Sequence, residues 1–292
     1  MKNRSVKQHI KAFQVNMGGI FLDQALPYRG VDQIDPFLLI HHWANTYPGG
    51  QHQSAVGVGP HPHRGFAPVT FIFKGGVHHR DSTGFSEVVY EGGTQWMNSG
   101  AGIVHSERPA KEIAESGGDF EIIQFWVNAP AKNKMDDPTY QPISKADTPF
   151  VEGEDKLSKT YVIVGEHDDV KGKIEPYSDL LVLRLDIQAG GSKKIQIPST
   201  YNALIYQLDG ESTINTTEKA LDKSMMWFNT DGEGIEITAE KDSRIILLSG
   251  EPIGEPVATY GPFVMNSNEE INQAVLDYQA GEMGILNEEF ED

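Results

Sequence analysis

Two short pairs of side chains in the first half of the sequence could bind a metal ion. His61 and His63 are two residues apart, and so are His105 and Glu107. Residues two apart on a β-strand project from the same face, so each pair can point into one cavity. The roughly forty residues between the pairs are enough chain for several antiparallel strands that bring the pairs face to face. Three imidazoles and one carboxylate would then surround a single divalent metal.

This set of donor atoms contains nitrogen and oxygen but no sulfur, because the sequence has no cysteine. It suits iron, manganese, nickel, copper or zinc. On a six-coordinate ion the set leaves two positions open, which dioxygen activation requires, whereas a structural zinc ion is satisfied by four ligands. A single His-x-His pair is a weak motif, and the second same-face pair is what strengthens the prediction. The residues alone leave the structural and the redox role both open.

Short apolar runs between glycine turns predict the strands that must position these side chains. Residues 69–74 form one run, which ends at Gly75-Gly76, and residues 120–127 form the last strong run of the first half. Many short strands at a spacing of roughly 8–12 residues indicate an all-β sandwich or barrel. We therefore predict an all-β fold.

The second half repeats this rhythm without the ligands. Residues 234–239 resemble residues 102–107 in spacing, with Ile237 in place of His105 and Ala239 in place of Glu107. This pattern predicts an internal duplication that lost its metal site. The proline-rich segment 136–154 is interpreted as the connection. We expect a metal-binding domain at 1–140 and, at 141–292, a domain without metal ligands that carries a C-terminal helix.

The end of the chain predicts one amphipathic helix. Ser267 and Glu270 form a capping-box signature, and Gly281 stands where the chain should leave the helix. Apolar residues follow the cap at helical spacing: Ile271, Ala274, Val275 and Tyr278. The last residues, 287–292, are interpreted as a solvated acidic tail.

Composition excludes several functional classes. Acidic residues outnumber basic ones by 42 to 24, and the formal charge is −18. Such a surface repels phosphate backbones, so we expect no direct nucleic-acid binding. No apolar run approaches membrane-spanning length, and none follows the basic start at residues 1–4, so we expect no membrane association, no secretory signal and a cytoplasmic location.

Specific segments of the sequence carry a resemblance to a known family. Residues 60–66, PHPHRGF, and residues 95–107, QWMNSGAGIVHSE, resemble the pirin family of the cupin superfamily. Residues 124–132 and 261–266 resemble the segments that close the first domain and precede the last helix of pirins. The resemblance spans residues 10–285. It implies two tandem cupin (jelly-roll) β-barrels and Fe(II) in the first barrel, held by His61, His63, His105 and Glu107; Mn, Co, Ni, Cu and Zn are also compatible.

The resemblance implies two kinds of function. Some pirins act as quercetin 2,3-dioxygenases, which open a flavonol ring with dioxygen and release carbon monoxide. In that scheme a small aromatic, flavonol-like substrate binds the metal through its 3-hydroxyl, and Glu107 is the catalytic base. Other pirins are redox-responsive regulators that bind a transcription factor or a metabolic enzyme. The third hypothesis is a metal-binding protein that has lost its enzymatic activity.

Several neighbouring polar residues allow a functional and a structural interpretation. His78 and His79 could reach the cavity mouth or form a polar hairpin end. His41 and His42 are expected to be structural histidines with hydrogen-bond partners. Arg64 could orient an anion near the metal or bridge to a carboxylate.

Two further features concern the surroundings of the site. Ala67-Pro68 stands where cupins, and many pirins, carry a glutamate after the first histidine pair; we expect metal binding to survive this departure. The aromatic residues Phe66, Phe73 and Trp96 are expected to belong to the core.

Overall fold

The turn signals and apolar runs of the sequence produce strands along most of the chain. A computed structural model describes residues 1–290, and within them the chain forms 26 strands and two α-helices. The strands up to residue 143 are β1 (Val6–Lys11), β2 (Phe13–Met17), β3 (Ile20–Leu26), β4 (Phe37–Tyr47), β5 (Val58–His63), β6 (Phe66–Lys74), β7 (Gly76–Asp81), β8 (Ser86–Tyr90), β9 (Thr94–Asn98), β10 (Ile103–Pro109), β11 (Gly118–Asn128) and β12 (Thr139–Ile143). The remaining strands are β13 (Phe150–Glu152), β14 (Ser158–Val164), β15 (Glu166–His167), β16 (Val170–Lys171), β17 (Leu180–Ile187), β18 (Ser192–Gln196), β19 (Asn202–Asp209), β20 (Glu211–Ile214), β21 (Glu218–Leu221), β22 (Ser224–Phe228), β23 (Gly234–Ala239), β24 (Ser243–Gly250), β25 (Ala258–Tyr260) and β26 (Phe263–Met265). The helices are α1 (Lys111–Ser116) and α2 (Asn268–Gln279). The predicted all-β class is confirmed.

The chain divides into two compact units that exchange their terminal segments. One unit, called the histidine unit, contains residues 43–146 and the chain from Gly254 on. The other, called the apolar unit, contains residues 1–42 and 147–253. Each unit has one large and one small antiparallel sheet, which is the arrangement of a jelly roll. Strand β1 belongs to the apolar unit because it pairs with β22.

The two units share one strand order. One seven-stranded sheet runs β12-β9-β6-β11-β4-β3-β2, and the other runs β1-β22-β19-β24-β17-β14-β13. The small sheets are β5-β10-β7-β8 and β18-β23-β20-β21. Strand β23, which carries the ligand-free copy of the motif, therefore occupies the place of β10. This topology is what the predicted duplication requires.

Strand β5 owes its edge position to its sequence. Pro60 and Pro62 alternate with His61 and His63 along it. Proline has no N–H to donate to a sheet, so within sheets it is confined mainly to edge strands. β5 lies at the edge of the small sheet and has β10 as its one neighbour there. The prolines thus leave one side of β5 unpaired while the histidines keep a common face.

Helix α2 packs on the strand that carries His105. Its N-cap is Ser267, and the capping box with Glu270 is formed, as predicted. Ile271 and Ala274 are buried in a cluster with Val104 of β10. No helix within residues 1–290 is long and apolar enough to cross a membrane.

The acidic end of the chain is only partly solvated as far as residue 290: Asn287 and Glu289 are exposed, as predicted, but Glu288 and Phe290 are docked. Glu288 accepts two hydrogen bonds from Arg108, from Nε and from Nη2, both at 2.6 Å. Phe290 packs against the ring of His52 and the guanidinium group of Arg80. A buried arginine requires a carboxylate partner, and the tail supplies it. Residues 291 and 292 lie outside the described residues.

The turn after the histidine pair is fastened by Lys134. Gly65 adopts a φ of +86°, and a Cβ added there would lie 2.0 Å from the carbonyl oxygen of Val264. The buried ammonium of Lys134 donates to the carbonyl oxygens of Gly65, at 2.6 Å, and of Val264, at 3.0 Å. Its third hydrogen bond is to Oδ1 of Asn128 at 2.7 Å. One side chain thus joins the turn after β5 to the segment before α2.

We predict that Lys134→Met lowers the free energy of unfolding by about 2–4 kcal/mol, because three buried oxygen acceptors lose their donor. Urea unfolding followed by circular dichroism measures the change. Lys132→Met is the matched control, since Lys132 is exposed. Equal stability of the two variants would show that the three bonds do not stabilise the turn.

Candidate metal centre

The pairing of β5 with β10 brings three predicted ligands together. His61 lies opposite His105, and His63 lies opposite Ile103. One nitrogen from each of His61, His63 and His105 lies within 4.8 Å of the others. The ring centroid of His61 lies 4.3 Å from that of His105 and 4.8 Å from that of His63. Three imidazoles from two neighbouring strands therefore share one space.

Hydrogen bonds at the Nδ1 atoms of the β5 histidines leave their Nε2 atoms free for a metal. His61 Nδ1 lies 2.8 Å from the carbonyl oxygen of Gly59, and His63 Nδ1 lies 3.3 Å from that of Pro262. A carbonyl only accepts, so in each neutral ring Nδ1 carries the proton and Nε2 carries the lone pair. Among the described residues, the buried Nε2 atoms of His63 and His105 have no hydrogen-bond partner. Buried polar atoms without partners are the expected sign of a site that binds a metal ion.

Burial keeps two of these rings neutral. It lowers the pKa of His63 well below its ordinary value, and the nearby His61 adds to the effect. Burial, followed by the neighbouring histidines, likewise lowers the pKa of His105. A neutral imidazole has the lone pair that coordination needs. Near neutral pH both side chains are therefore ready to bind a cation.

The Glu107 carboxylate lies outside the group of three nitrogens that meet the 4.8 Å spacing. The register shifts between His105 and Glu107, which displaces the second residue of the pair. Gln124 Nε2 donates to both carboxylate oxygens, at 3.0 and 2.8 Å, and Thr70 Oγ1 donates to Oε1 at 3.1 Å. Of the four predicted ligands, the structure brings three within coordination spacing and holds the fourth by an amide and a hydroxyl.

The sequence interpretation missed Gln124 and Thr70. They lie opposite each other in the β6–β11 register, so both meet Glu107 from the large sheet. Alternation along each predicted strand indicates which face of the sheet Thr70 and Gln124 share with their neighbours. That the two residues lie side by side follows only from the pairing of two strands about fifty residues apart in the sequence.

An aromatic wall adjoins the histidines. The rings of Phe66 and Trp126 lie 4.3 Å apart, and His63 contacts both, at 5.0 and 5.6 Å between centroids. Phe66 is buried, whereas Trp126, Gln124 and Glu107 are partly exposed. The site is thus closed by the buried imidazoles on one side and reachable past partly exposed side chains on the other.

The two histidines of β7 point in opposite directions. His79 is buried, stacks on Tyr140 and bonds Asp81, whereas the half-buried His78 bonds Ser86 at 3.0 Å. Residues one apart on a strand face opposite sides, so only His79 turns towards the cluster. The prediction of a polar hairpin end fits His78, and the prediction of a side chain directed at the cavity fits His79.

The remaining polar predictions have clear outcomes. His41 and His42 are structural, as expected, with partners at Gln24 Oε1, 2.9 Å, and the Tyr206 hydroxyl, 3.0 Å. Arg64 bridges to the carboxylate of Asp277 at 2.6 Å, which is the second of its two readings. Phe66, Phe73 and Trp96 are buried, as predicted.

The apolar unit contains no comparable cluster. Ile237 and Ala239 are buried in its hydrophobic core. Within residues 1–290, the three imidazoles are the one group of histidine, cysteine or acidic residues with spacing for a metal ion. The loss of ligands in the second copy of the motif thus agrees with the structure.

Comparison with known proteins places this geometry in a family. Residues 20–127 match the family profile described as Pirin, and residues 182–284 match the Pirin C-terminal cupin domain. The chain belongs to the pirin family. A pirin-like protein of Solanum lycopersicum is 33% identical over 283 residues, which is 96% of this chain and 92% of the relative. The expected pair of cupin barrels with a C-terminal helix is confirmed.

Two solved structures are similar to this pirin. A crystal structure of quercetin 2,3-dioxygenase from Acinetobacter baumannii is 33% identical, covers 97% of this chain and 99% of its own, and has a TM-score of 0.91. A bacterial pirin from Escherichia coli, solved in complex with nickel(II), is 21% identical with a TM-score of 0.67, over 84% of this chain and 99% of its own. At that identity the second similarity shows the fold alone.

We predict that the metal-free pirin loses stability as the pH falls from about 7 to about 5. The pKa values of His63 and His105 are lowered in the folded chain, so below about 6.5 the unfolded chain binds more protons. Each ring then removes up to about 1.4 kcal/mol per pH unit. Urea unfolding in the presence of a chelator at several pH values measures the slope.

Replacing one ring tests the assignment of this slope. His63→Gln should flatten it, while His52→Gln, at an exposed histidine of the same unit, should leave it unchanged. If His63→Gln has the wild-type slope, the buried imidazole is not responsible for the acid sensitivity.

Proposed function

We propose that this pirin is an iron(II)-dependent dioxygenase of the quercetin 2,3-dioxygenase type, acting on a flavonol-like aromatic substrate with dioxygen. The observation that carries the proposal is the convergence of three imidazoles in one barrel, beside a carboxylate and an aromatic wall. The similarity to a quercetin 2,3-dioxygenase at a TM-score of 0.91 supports the reaction type.

In this proposal His61, His63 and His105 bind the metal through Nε2, and Glu107 completes the set. Each carboxylate oxygen has two lone pairs, so Glu107 can serve a metal and still accept from Gln124. Nitrogen and oxygen donors suit Fe(II), and also Mn, Co, Ni, Cu or Zn. Bound iron would supply Lewis acidity towards the 3-hydroxyl of the flavonol and one-electron chemistry for dioxygen.

Glu107 is proposed as the general base. A carboxylate oxygen of Glu107 would accept the proton of the substrate 3-hydroxyl, since a base must lie within hydrogen-bond reach of the proton it removes. One of the hydrogen bonds from Gln124 would be released to free the lone pair that takes this proton. Two hydrogen bonds from Gln124 and one from Thr70 fix the carboxylate plane. The chain therefore orients the base before substrate arrives.

Trp126 would orient the substrate. Its partly exposed ring lies against His63 and is supported by the buried Phe66, so a flat aromatic molecule stacked on Trp126 is directed at the imidazole cluster. Trp126 is itself steadied by a hydrogen bond from Nε1 to Gln124 Oε1 at 3.3 Å. The same glutamine thus bonds the proposed base and one side of the proposed substrate platform.

We predict that purified wild-type protein, prepared without chelator or reloaded with iron(II), contains about one metal equivalent, because three imidazoles converge on one space. His63→Ala should contain much less, because a three-nitrogen set loses a member. Elemental analysis measures both. A wild-type value below about half an equivalent after reloading would contradict the metal site.

We predict turnover when the iron-loaded pirin is incubated with quercetin under air. Loss of the flavonol absorbance and release of carbon monoxide measure it. His63→Ala should abolish turnover, and Glu107→Gln at saturating iron should reduce it by about 100-fold, the usual contribution of a general base. His78→Ala is the matched control, because His78 faces Ser86 rather than the cluster.

No turnover with iron, manganese, cobalt, nickel or copper would overturn the dioxygenase proposal. If metal is nevertheless bound, the redox-responsive regulator becomes the better hypothesis. The charge of −18 would then favour a basic protein partner over nucleic acid.

A further inference from the structure

A second pair of side chains stands behind His105. His79 and Asp81 lie two residues apart on β7 and share one face, and Asp81 is the register partner of His105 across the β10–β7 pairing. His79 Nε2 lies 2.8 Å from Asp81 Oδ2, and His79 Nδ1 lies 3.4 Å from His105 Nδ1. All three side chains are buried. They form a continuous hydrogen-bonded line that ends at one proposed metal ligand.

We propose that Asp81 and His79 are positioning residues that fix the tautomer and the orientation of His105 and make it the strongest nitrogen donor of the metal site. The proposal rests on the metal site proposed above. Neither residue belongs to the group of side chains with coordination spacing, so both would act through His105.

The order of donors and acceptors along the line follows from the carboxylate. The carboxylate oxygen of Asp81 accepts in this bond, so His79 Nε2 carries its proton. An imidazole ring with one proton has an acceptor at its other nitrogen, which in His79 is Nδ1. His105 Nδ1 must therefore donate to it, which leaves the lone pair of His105 on Nε2. That buried Nε2 is one of the atoms without a partner among the described residues.

Further contacts fix the positions of Asp81 and His79. The second carboxylate oxygen of Asp81, Oδ1, accepts from the backbone N–H of Thr83 at 2.9 Å, from its hydroxyl at 2.6 Å and from the Phe85 N–H at 3.2 Å. The ring of His79 stacks on that of Tyr140, with centroids 4.0 Å apart and planes 6° apart. The turn after β7 and an aromatic ring thus fix the direction from which His105 is held.

The three ligand histidines are not supported equally. The Nδ1 atoms of His61 and His63 donate to neutral backbone carbonyls. His105 donates to an imidazole that is itself backed by a carboxylate. Negative charge relayed in this way raises the electron density on the ligand nitrogen and favours the more oxidised state of a bound metal. His105 should accordingly contribute most to affinity and to the reduction potential.

Asp81→Asn tests the line with the smallest change of shape. The new amide can keep the acceptor facing Thr83 but presents N–H groups to His79 Nε2, which must then accept. His79 Nδ1 becomes the donor and His105 Nδ1 the acceptor, so the proton of neutral His105 moves to the nitrogen that should bind metal. We expect Co(II) affinity, measured by competition with a chromophoric chelator, to fall about 10- to 100-fold. The visible spectrum of bound Co(II) should change, and the iron reduction potential should become more positive.

Two further variants keep the test decisive. His79→Phe preserves the stack on Tyr140 but breaks both hydrogen bonds, and should give the same loss of affinity and the same sign of the potential shift. His78→Phe makes the same change at the neighbouring histidine of β7, which faces Ser86, and should leave the Co(II) spectrum and affinity near wild type. Thermal unfolding of the metal-free variants shows whether each variant keeps the fold. If Asp81→Asn or His79→Phe does not fold, the remaining one of these two is compared with wild type.

The outcomes separate this proposal from the one before it. If wild-type protein binds no Co(II), the metal site itself is wrong, and the role of Asp81 falls with it. If wild type binds but folded Asp81→Asn and His79→Phe bind equally well, with the same spectrum and potential, the positioning role is wrong while the metal site stands.

Discussion

Strand β5 meets β10 in a register that sets His61 opposite His105, and every other feature of the site depends on this pairing. The alternation of proline and histidine in β5 makes the pairing one-sided. Proline nitrogens cannot donate to a second neighbour, and histidines two apart share a face. A shift of the pairing register by one residue would turn both β5 imidazoles to the other face of the sheet and separate them from His105. The convergence of three imidazoles is therefore a matter of sheet register.

Distant parts of the chain maintain that register. Lys134 ties Gly65, just after β5, to Val264, and Arg64 is paired with Asp277 of α2. Arg108, just beyond Glu107 on β10, is paired with Glu288. Each bond joins the neighbourhood of a predicted ligand to the last thirty or so residues of the described chain. The C-terminal segment is thus part of the histidine unit in space, although the sequence places it after the other unit.

The two barrels differ in how much their buried residues at the corresponding strand contribute to stability. The histidine unit buries the imidazoles of His63 and His105, whose Nε2 atoms have no hydrogen-bond partner within residues 1–290, and such atoms are unfavourable unless a ligand satisfies them. At the corresponding strand of the apolar unit, Ile237 and Ala239 fill the core. The same topology therefore has one copy with an apolar core and one with a buried polar cluster. A departure from good packing in only one copy is what a functional site predicts.

The sequence by itself determined the all-β class, the duplicated rhythm, the capped helix at Ser267 and the same-face histidine pair, because all of these depend on local periodicity and on residue type. It also singled out His105 through a second pair with the same spacing. It did not determine that Glu107 would be bonded by Gln124 and Thr70, that His79 and Asp81 would stand behind His105, or that Glu288 would be buried against Arg108. These contacts join strands and segments separated by up to 180 residues. Only the tertiary structure fixes them, because pairing register and the return path of the chain are set by the packing of the whole barrel rather than by any local pattern.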